Sequence, residues 1–222
     1  MVRRLNSYEI IKYAKQKEIK NIILCMGYRS RTDYQQFYDL GANKYIMKFE
    51  TSNKQNYRTM KNGESINTRL EHLNTLRKVG YDIGSGNIYG LPGQSEEDLY
   101  KDLVLMKKLE CNLASVSPFI VPSQSVLEGV YNAEINNVLN YLAIMRLELE
   151  SALIPSVSAF ELLKENGQLD AFNAGANVIT INMTPAVFRE SYPIYNSKRN
   201  IVKFDYAKNV IENAGLSLAV EL

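Results

Sequence analysis

The chain has 222 residues, of which 45% are hydrophobic and 23% charged, with a formal net charge of +2. That length suits one α/β domain with a sizeable core, and so small a charge gives no argument for nucleic acid or an acidic membrane as partner. No stretch reaches the roughly 20 apolar residues that cross a bilayer, and no charged-then-apolar leader is evident, so a cytoplasmic protein is expected. Two cysteines, Cys25 and Cys111, stand far apart with no metal-binding spacing and are expected to be reduced, partly buried thiols. A single histidine, His72, excludes a multi-histidine metal site within the chain and is expected on a helix surface.

Taken in chain order, a helix is expected over 8–16, a strand over 22–26, and a helix over 32–40 that ends at Gly41. Residues 44–47 form the next apolar run, followed by helical patterns over 54–60 and 64–79, the second stopped by Gly80. Residues 83–89 make a glycine-broken strand. Ser95, with Asp98 three residues on, caps a helix to about 109. A strand over 113–120 precedes an aperiodic stretch, 118–132, expected to be a loop at a strand end. Then come a long helix over 134–151, a short strand over 156–159, a helix to 174, a strand over 178–181 and a closing helix over 206–214. Six strands alternating with helices predict a parallel sheet with helical crossovers, either doubly wound or a (β/α) barrel, in one domain over 1–222.

Three groups of residues suit chemistry. Arg69 borders the apolar stripe Ile66, Leu70, Leu73, Leu76 and Val79, so its guanidinium either snorkels past the helix edge or meets a carboxylate or anionic ligand. Glu50, at a strand's C-terminal end, is the expected partner if it is not simply solvated. The glycines Gly84, Gly86, Gly90 and Gly93 mark either close approach of a ligand or backbone, or a sheet corner, and Leu91-Pro92-Gly93-Gln94 makes a tight turn. Asn182-Met183-Thr184-Pro185, with Arg189 and Tyr192, either recognises a substrate carboxylate or amine, or is a helix entry capped by Thr184.

Together, Lys48-Phe49-Glu50-Thr51, Arg69, Gly84-Ser85-Gly86 and Gly90-Leu91-Pro92-Gly93-Gln94 resemble the biotin-synthase-like branch of the radical S-adenosylmethionine (SAM) superfamily. Among its subfamilies the match is nearest to HydE-type maturases of [FeFe] hydrogenase, with methylornithine synthase and biotin synthase as relatives. Pro118-Phe119-Ile120, Gly175-Ala176-Asn177-Val178-Ile179 and Thr184-Pro185 extend it. The resemblance implies a partial (β/α)8 TIM-type barrel whose six parallel strands are its third to eighth, with the first two strand–helix units and their C-x-x-x-C-x-x-C loop outside these residues. It implies a [4Fe–4S] cluster held by three thiolates, chelating SAM and splitting it reductively to methionine and a 5′-deoxyadenosyl radical. By the match, Lys48, Glu50 and Arg69 would hold the polar end of SAM, with Gly84, Gly86 and Asn87 against its adenosine. Ser158, Asn182, Thr184, Arg189 and Tyr192 would face a small-molecule substrate. Lys48 and Phe49 depart from the arginine and histidine of HydE-type proteins, as does Val157 from a threonine.

Three functions are expected from this pattern. The first is the larger part of a radical SAM enzyme that associates with a cysteine-bearing N-terminal half or with itself, since an open barrel arc exposes edges and an apolar inner face. The second is a binding module without cluster. The third is an aldolase or isomerase using Lys48 as Schiff-base amine or Glu50 as base.

Overall fold

The computed structural model describes residues 6–121, 127, 132–189 and 201–219. Helix α1 (Ser7–Gln16) leads into β1 (Ile23–Leu24), α2 (Arg31–Asp39), β2 (Lys44–Ile46), α3 (Lys54–Met60), α4 (Ile66–Val79), β3 (Asp82–Tyr89), α5 (Glu96–Lys108) and β4 (Leu113–Pro118). There follow α6 (Ile135–Glu148), β5 (Pro155–Ser156), α7 (Ala159–Leu163), α8 (Gly167–Asn173), β6 (Val178–Ile179), α9 (Ala186–Arg189) and α10 (Phe204–Asn213). The helix starts follow local chemistry. Asn6 with Glu9, Ser30 with Asp33, and Ser95 with Asp98 each form a reciprocal capping box. Helix α4 stops at Gly80, whose φ of 118° is open to glycine and costly for a side chain.

All described strand pairs are parallel, in two ladders. Strands β1-β2-β3-β4 form a continuous sheet in that order, and β5 pairs only with β6. The ladders meet at one bridge, Leu113 to Leu153, where Ala114 N donates to Leu153 O at 2.9 Å. The α6 side chain Arg146 clamps the same joint, its Nε donating to Gly175 O at 2.8 Å and its Nη1 to Ala152 O at 3.1 Å. The six strands are as expected, with shorter ends: β5 stops at Ser156 because Ala159 already opens α7. The single helix expected up to 174 is two. Asn166 turns the chain at φ 61°, and Gly167 packs so close to Phe160 that a Cβ would lie 2.2 Å from its carbonyl oxygen.

Alternation along the strands decides what faces where. Tyr45, Met47 and Phe49 are 0%, 3% and 0% exposed and belong to the core under the helices. On β3, Ile83, Ser85 and Asn87 take that same outward side, as do Ala114 and Val116 on β4. The opposite wall is therefore Lys48 and Glu50 after β2, Gly84 and Gly86 on β3, and Ser115 and Ser117 on β4. Among the described residues no helix is long and apolar enough to cross a membrane.

Candidate ligand-binding wall

Lys48 lies on this wall, with Nζ donating to Ser117 Oγ at 2.9 Å and standing 3.6 Å from Glu50 Oε2. Both charged side chains are 20% exposed, so a ligand can reach them while water is partly excluded. Burial holds the Lys48 ammonium below the ordinary lysine range, and the Glu50 carboxylate pulls it part of the way back. Glu50 occupies a left-handed backbone conformation, φ 68°, unusual for a glutamate. The cause is a bulge. Met47 N and Glu50 N, three residues apart, bond to Gly84 O and Gly86 O, two residues apart. This extra residue shifts the register against β3, so that Glu50 pairs with Asn87 while staying on the side of Lys48.

Arg69, from the second turn of α4, is only half-buried. Its expected ion pair with Glu50 does not form; Glu50 stands by Lys48 instead. Arg69 instead donates through Nε to Tyr57 Oη at 3.1 Å, with its guanidinium carbon 4.4 Å from the Tyr28 ring centre. Tyr57 and Tyr28 both donate to Glu64. His72, expected on the helix surface, stacks on Tyr28 with ring centres 4.3 Å apart and bonds Tyr34 through Nδ1 at 3.0 Å. One turn beyond Arg69, it turns inward to the tyrosine side. Cys25 is exposed and Cys111 buried. Partial desolvation and then Glu50 raise the Cys25 thiol, while Lys48 and Arg69 pull it back.

The glycine strand separates into two roles. At Gly86 a Cβ would lie 1.9 Å from Ser115 O, and at Gly84 one would lie 2.7 Å from Ile46 Cγ1, so the close approach is to neighbouring strand and side chain. Asn87, expected at the cofactor, points the other way. It is fully buried, donating through Nδ2 to Asp102 on α5 at 2.9 Å and to Tyr141 on α6 at 3.2 Å. Odd-numbered positions of β3 face the helices, which corrects that expectation. Gly93, at φ 72°, completes the expected turn, with Gln94 N donating to Leu91 O at 3.0 Å.

Past β5 and β6, Ser158, Asn182 and Thr184 line one cavity of about 450 Å³ together with Val157, Thr180 and Val202. Asn182 Oδ1 accepts from Thr184 N at 2.9 Å, and the short helix α9 follows, so this segment is at once a cavity wall and a helix entry. Arg189 ends α9, and its side chain and Tyr192 lie outside the described residues. Sequence reasoning did not single out Ser117, Tyr28, Tyr57 or Glu64. Among the described residues no three His, Cys, Asp or Glu side chains gather as a metal site.

A family model described as the Radical SAM superfamily matches residues 3–106. The [FeFe] hydrogenase maturase subunit HydE of Thermotoga maritima is 30% identical over 199 residues, covering 90% of this chain and 57% of that protein. The 3-methylornithine synthase of Methanosarcina acetivorans is 26% identical, covering 78% of this chain and 48% of the relative. A biotin synthase of Clostridium botulinum is 27% identical, covering 75% and 54%. The chain thus spans about half the length of these curated relatives. The crystal structure of methylornithine synthase (PylB) superposes with a TM-score of 0.79 at 21% identity, over 96% of this chain and 63% of that one, which establishes a shared barrel fold.

Proposed function

The chain belongs to the radical SAM superfamily, in its biotin-synthase-like branch, and from that premise we propose that its inner wall holds the methionyl end of SAM in an enzyme of HydE or biotin-synthase type. The observation that carries this reading is the Lys48–Glu50 pair, 3.6 Å apart and each 20% exposed, on the inner wall at the end of β2. Arg69 pairs with the ligand carboxylate, as planar guanidinium suits. Glu50 accepts from the ligand amine or ribose, and Lys48 supports Glu50. Ser158, Asn182 and Thr184 present hydroxyl and amide groups to a small substrate in the neighbouring cavity.

A [4Fe–4S] cluster, when bound, supplies the electron that splits SAM into methionine and a 5′-deoxyadenosyl radical. The residues of this chain fit SAM but not the cluster. Cys25 and Cys111 are its two cysteines, one exposed and one buried, and they do not make a three-thiolate site. The cluster is therefore assigned to an N-terminal part carrying C-x-x-x-C-x-x-C, which would pair with the edge of β1 that has no strand partner among the described residues, where Ile23 is 45% exposed. The test is anaerobic reconstitution with iron and sulfide, with and without such a part. The expected result is 5′-deoxyadenosine from SAM in the combined sample only. SAM binding without cleavage in that sample would favour a binding module instead, and no SAM binding would overturn the reading.

A further inference from the structure

Arg69 is braced without being neutralised. Its Nε donates to Tyr57, and its plane lies over Tyr28. Both phenols send their own protons to Glu64, Tyr57 Oη at 3.5 Å and Tyr28 Oη to the same oxygen. A phenol that donates to a carboxylate offers only lone pairs on its other side, and Tyr57 offers them to Arg69. Glu64 thus sets the direction of the hydrogen bonds from one phenol away. A carboxylate in direct two-pronged contact would instead fill the guanidinium fork. Among the described residues neither terminal nitrogen of Arg69 has a hydrogen-bond partner. His72 stacks on Tyr28 at an interplanar angle of 13° and is pinned by Tyr34, which fixes the ring that carries the guanidinium. Burial and then the Arg69 charge lower the His72 pKa, so the stack adds no competing cation near neutral pH.

We propose that Glu64, Tyr57 and Tyr28 are positioning residues that hold Arg69 with its terminal nitrogens open, so that this arginine selects its ligand by the ligand's carboxylate. The proposal rests on the reading of the wall as a SAM site and adds the network that makes the arginine selective. Tyr57→Phe keeps the buried ring and removes only the hydroxyl that Arg69 and Glu64 share.

The experiment is equilibrium dialysis of the full chain with SAM and with decarboxylated SAM, which differ at the carboxylate alone. Wild type, Arg69→Ala, Tyr57→Phe and Glu64→Gln are compared, with circular dichroism melts to check folding. Wild type is expected to prefer SAM, and that preference to fall by about tenfold in both Tyr57→Phe and Glu64→Gln while affinity for the decarboxylated compound holds. If Arg69→Ala loses the preference and the two others keep it, the positioning proposal is overturned and the SAM site stands. A wild type without preference overturns the SAM site and the positioning with it. Should Glu64→Gln fail to fold, Tyr57→Phe alone decides.

Discussion

The inner wall of the β1–β4 arc carries the charged pair Lys48 and Glu50, whereas the cavity beside β5 and β6 is lined by neutral groups. Lys48, Glu50, Arg69 and Glu64 each have a named brace, and behind the sheet Asp102 accepts from Ser52 N at 2.6 Å and from Asn87. The two-stranded pair relies on Ser156, whose Oγ donates to Gln168 O, and on the returned bond from Gln168 Nε2 to Ser156 O, both 2.9 Å. The eight-residue β3 and six-residue β4 give the arc a backbone ladder against which Lys48 is held by Ser117. Beside the two-residue β5 and β6, the amides and hydroxyls of Ser158, Asn182 and Thr184 line a cavity. Under the proposed function, the charged wall would anchor the SAM end and the neutral cavity would take the substrate.

The sharpest way to break this comparison is Gly86→Ala. The new methyl group would meet Ser115 O at 1.9 Å, a backbone atom that no rotamer change can move. The arc is expected to lose at least about 3 kcal/mol in urea unfolding, the cost of forced overpacking. Gly93→Ala meets nothing within 4 Å and bears only the penalty of its φ of 72°, so about 1 kcal/mol is expected there. Equal losses at the two glycines would show that β3 is not held by contact with β4. Next in size is Arg146→Met. It removes a clamp that reaches Gly175, Glu150 and Ala152 carbonyls from α6, and a loss of about 2–3 kcal/mol is expected. Hydrogen exchange should then speed up at β5 and β6 before it does at β2 and β3. Uniform acceleration would mean that the two ladders unfold as one.

Much of the arc was legible in the sequence because its signals are local. The Ser95–Asp98 capping box, the stop at Gly80 and the turn at Gly93 each depend on residues a few positions apart. The outward turn of Asn87 was hidden by the glycines, which blur the alternation that would have given its side. The bulge at Glu50 was hidden too, since it is a mismatch between two strands and exists only once both are paired. For the same reason Arg69 was given Glu50 as partner, when the tyrosines that hold it arrive from the end of β1 and from α3. Nothing local links Tyr28, Tyr57 and Glu64 to an arginine on the next helix. Asn166 failed for a different reason: one left-handed residue and a glycine contact split a helix whose apolar pattern continues across the break.

The smallest effect expected is a pH dependence that separates the two halves. Burial raises the Asp102 carboxyl above its ordinary value, against the lowering pull of Ser52 and Asn87. A raised folded value means that the folded chain binds the proton more tightly than the unfolded chain does. The stability contributed by Asp102 is then fully present below the ordinary carboxylate pKa and is lost as pH rises through the raised one. Asp102→Asn has no such proton. The margin of wild type over this variant should therefore be widest in acid and narrow toward neutral pH, in urea midpoints taken across that range. Ser156→Ala removes a neutral bond instead, and its deficit of about 1 kcal/mol should stay flat over the same range. A flat difference for Asp102→Asn would mean that Asp102 is ionised at no cost behind β3, and the contrast between a titratable half and a neutral half would fall.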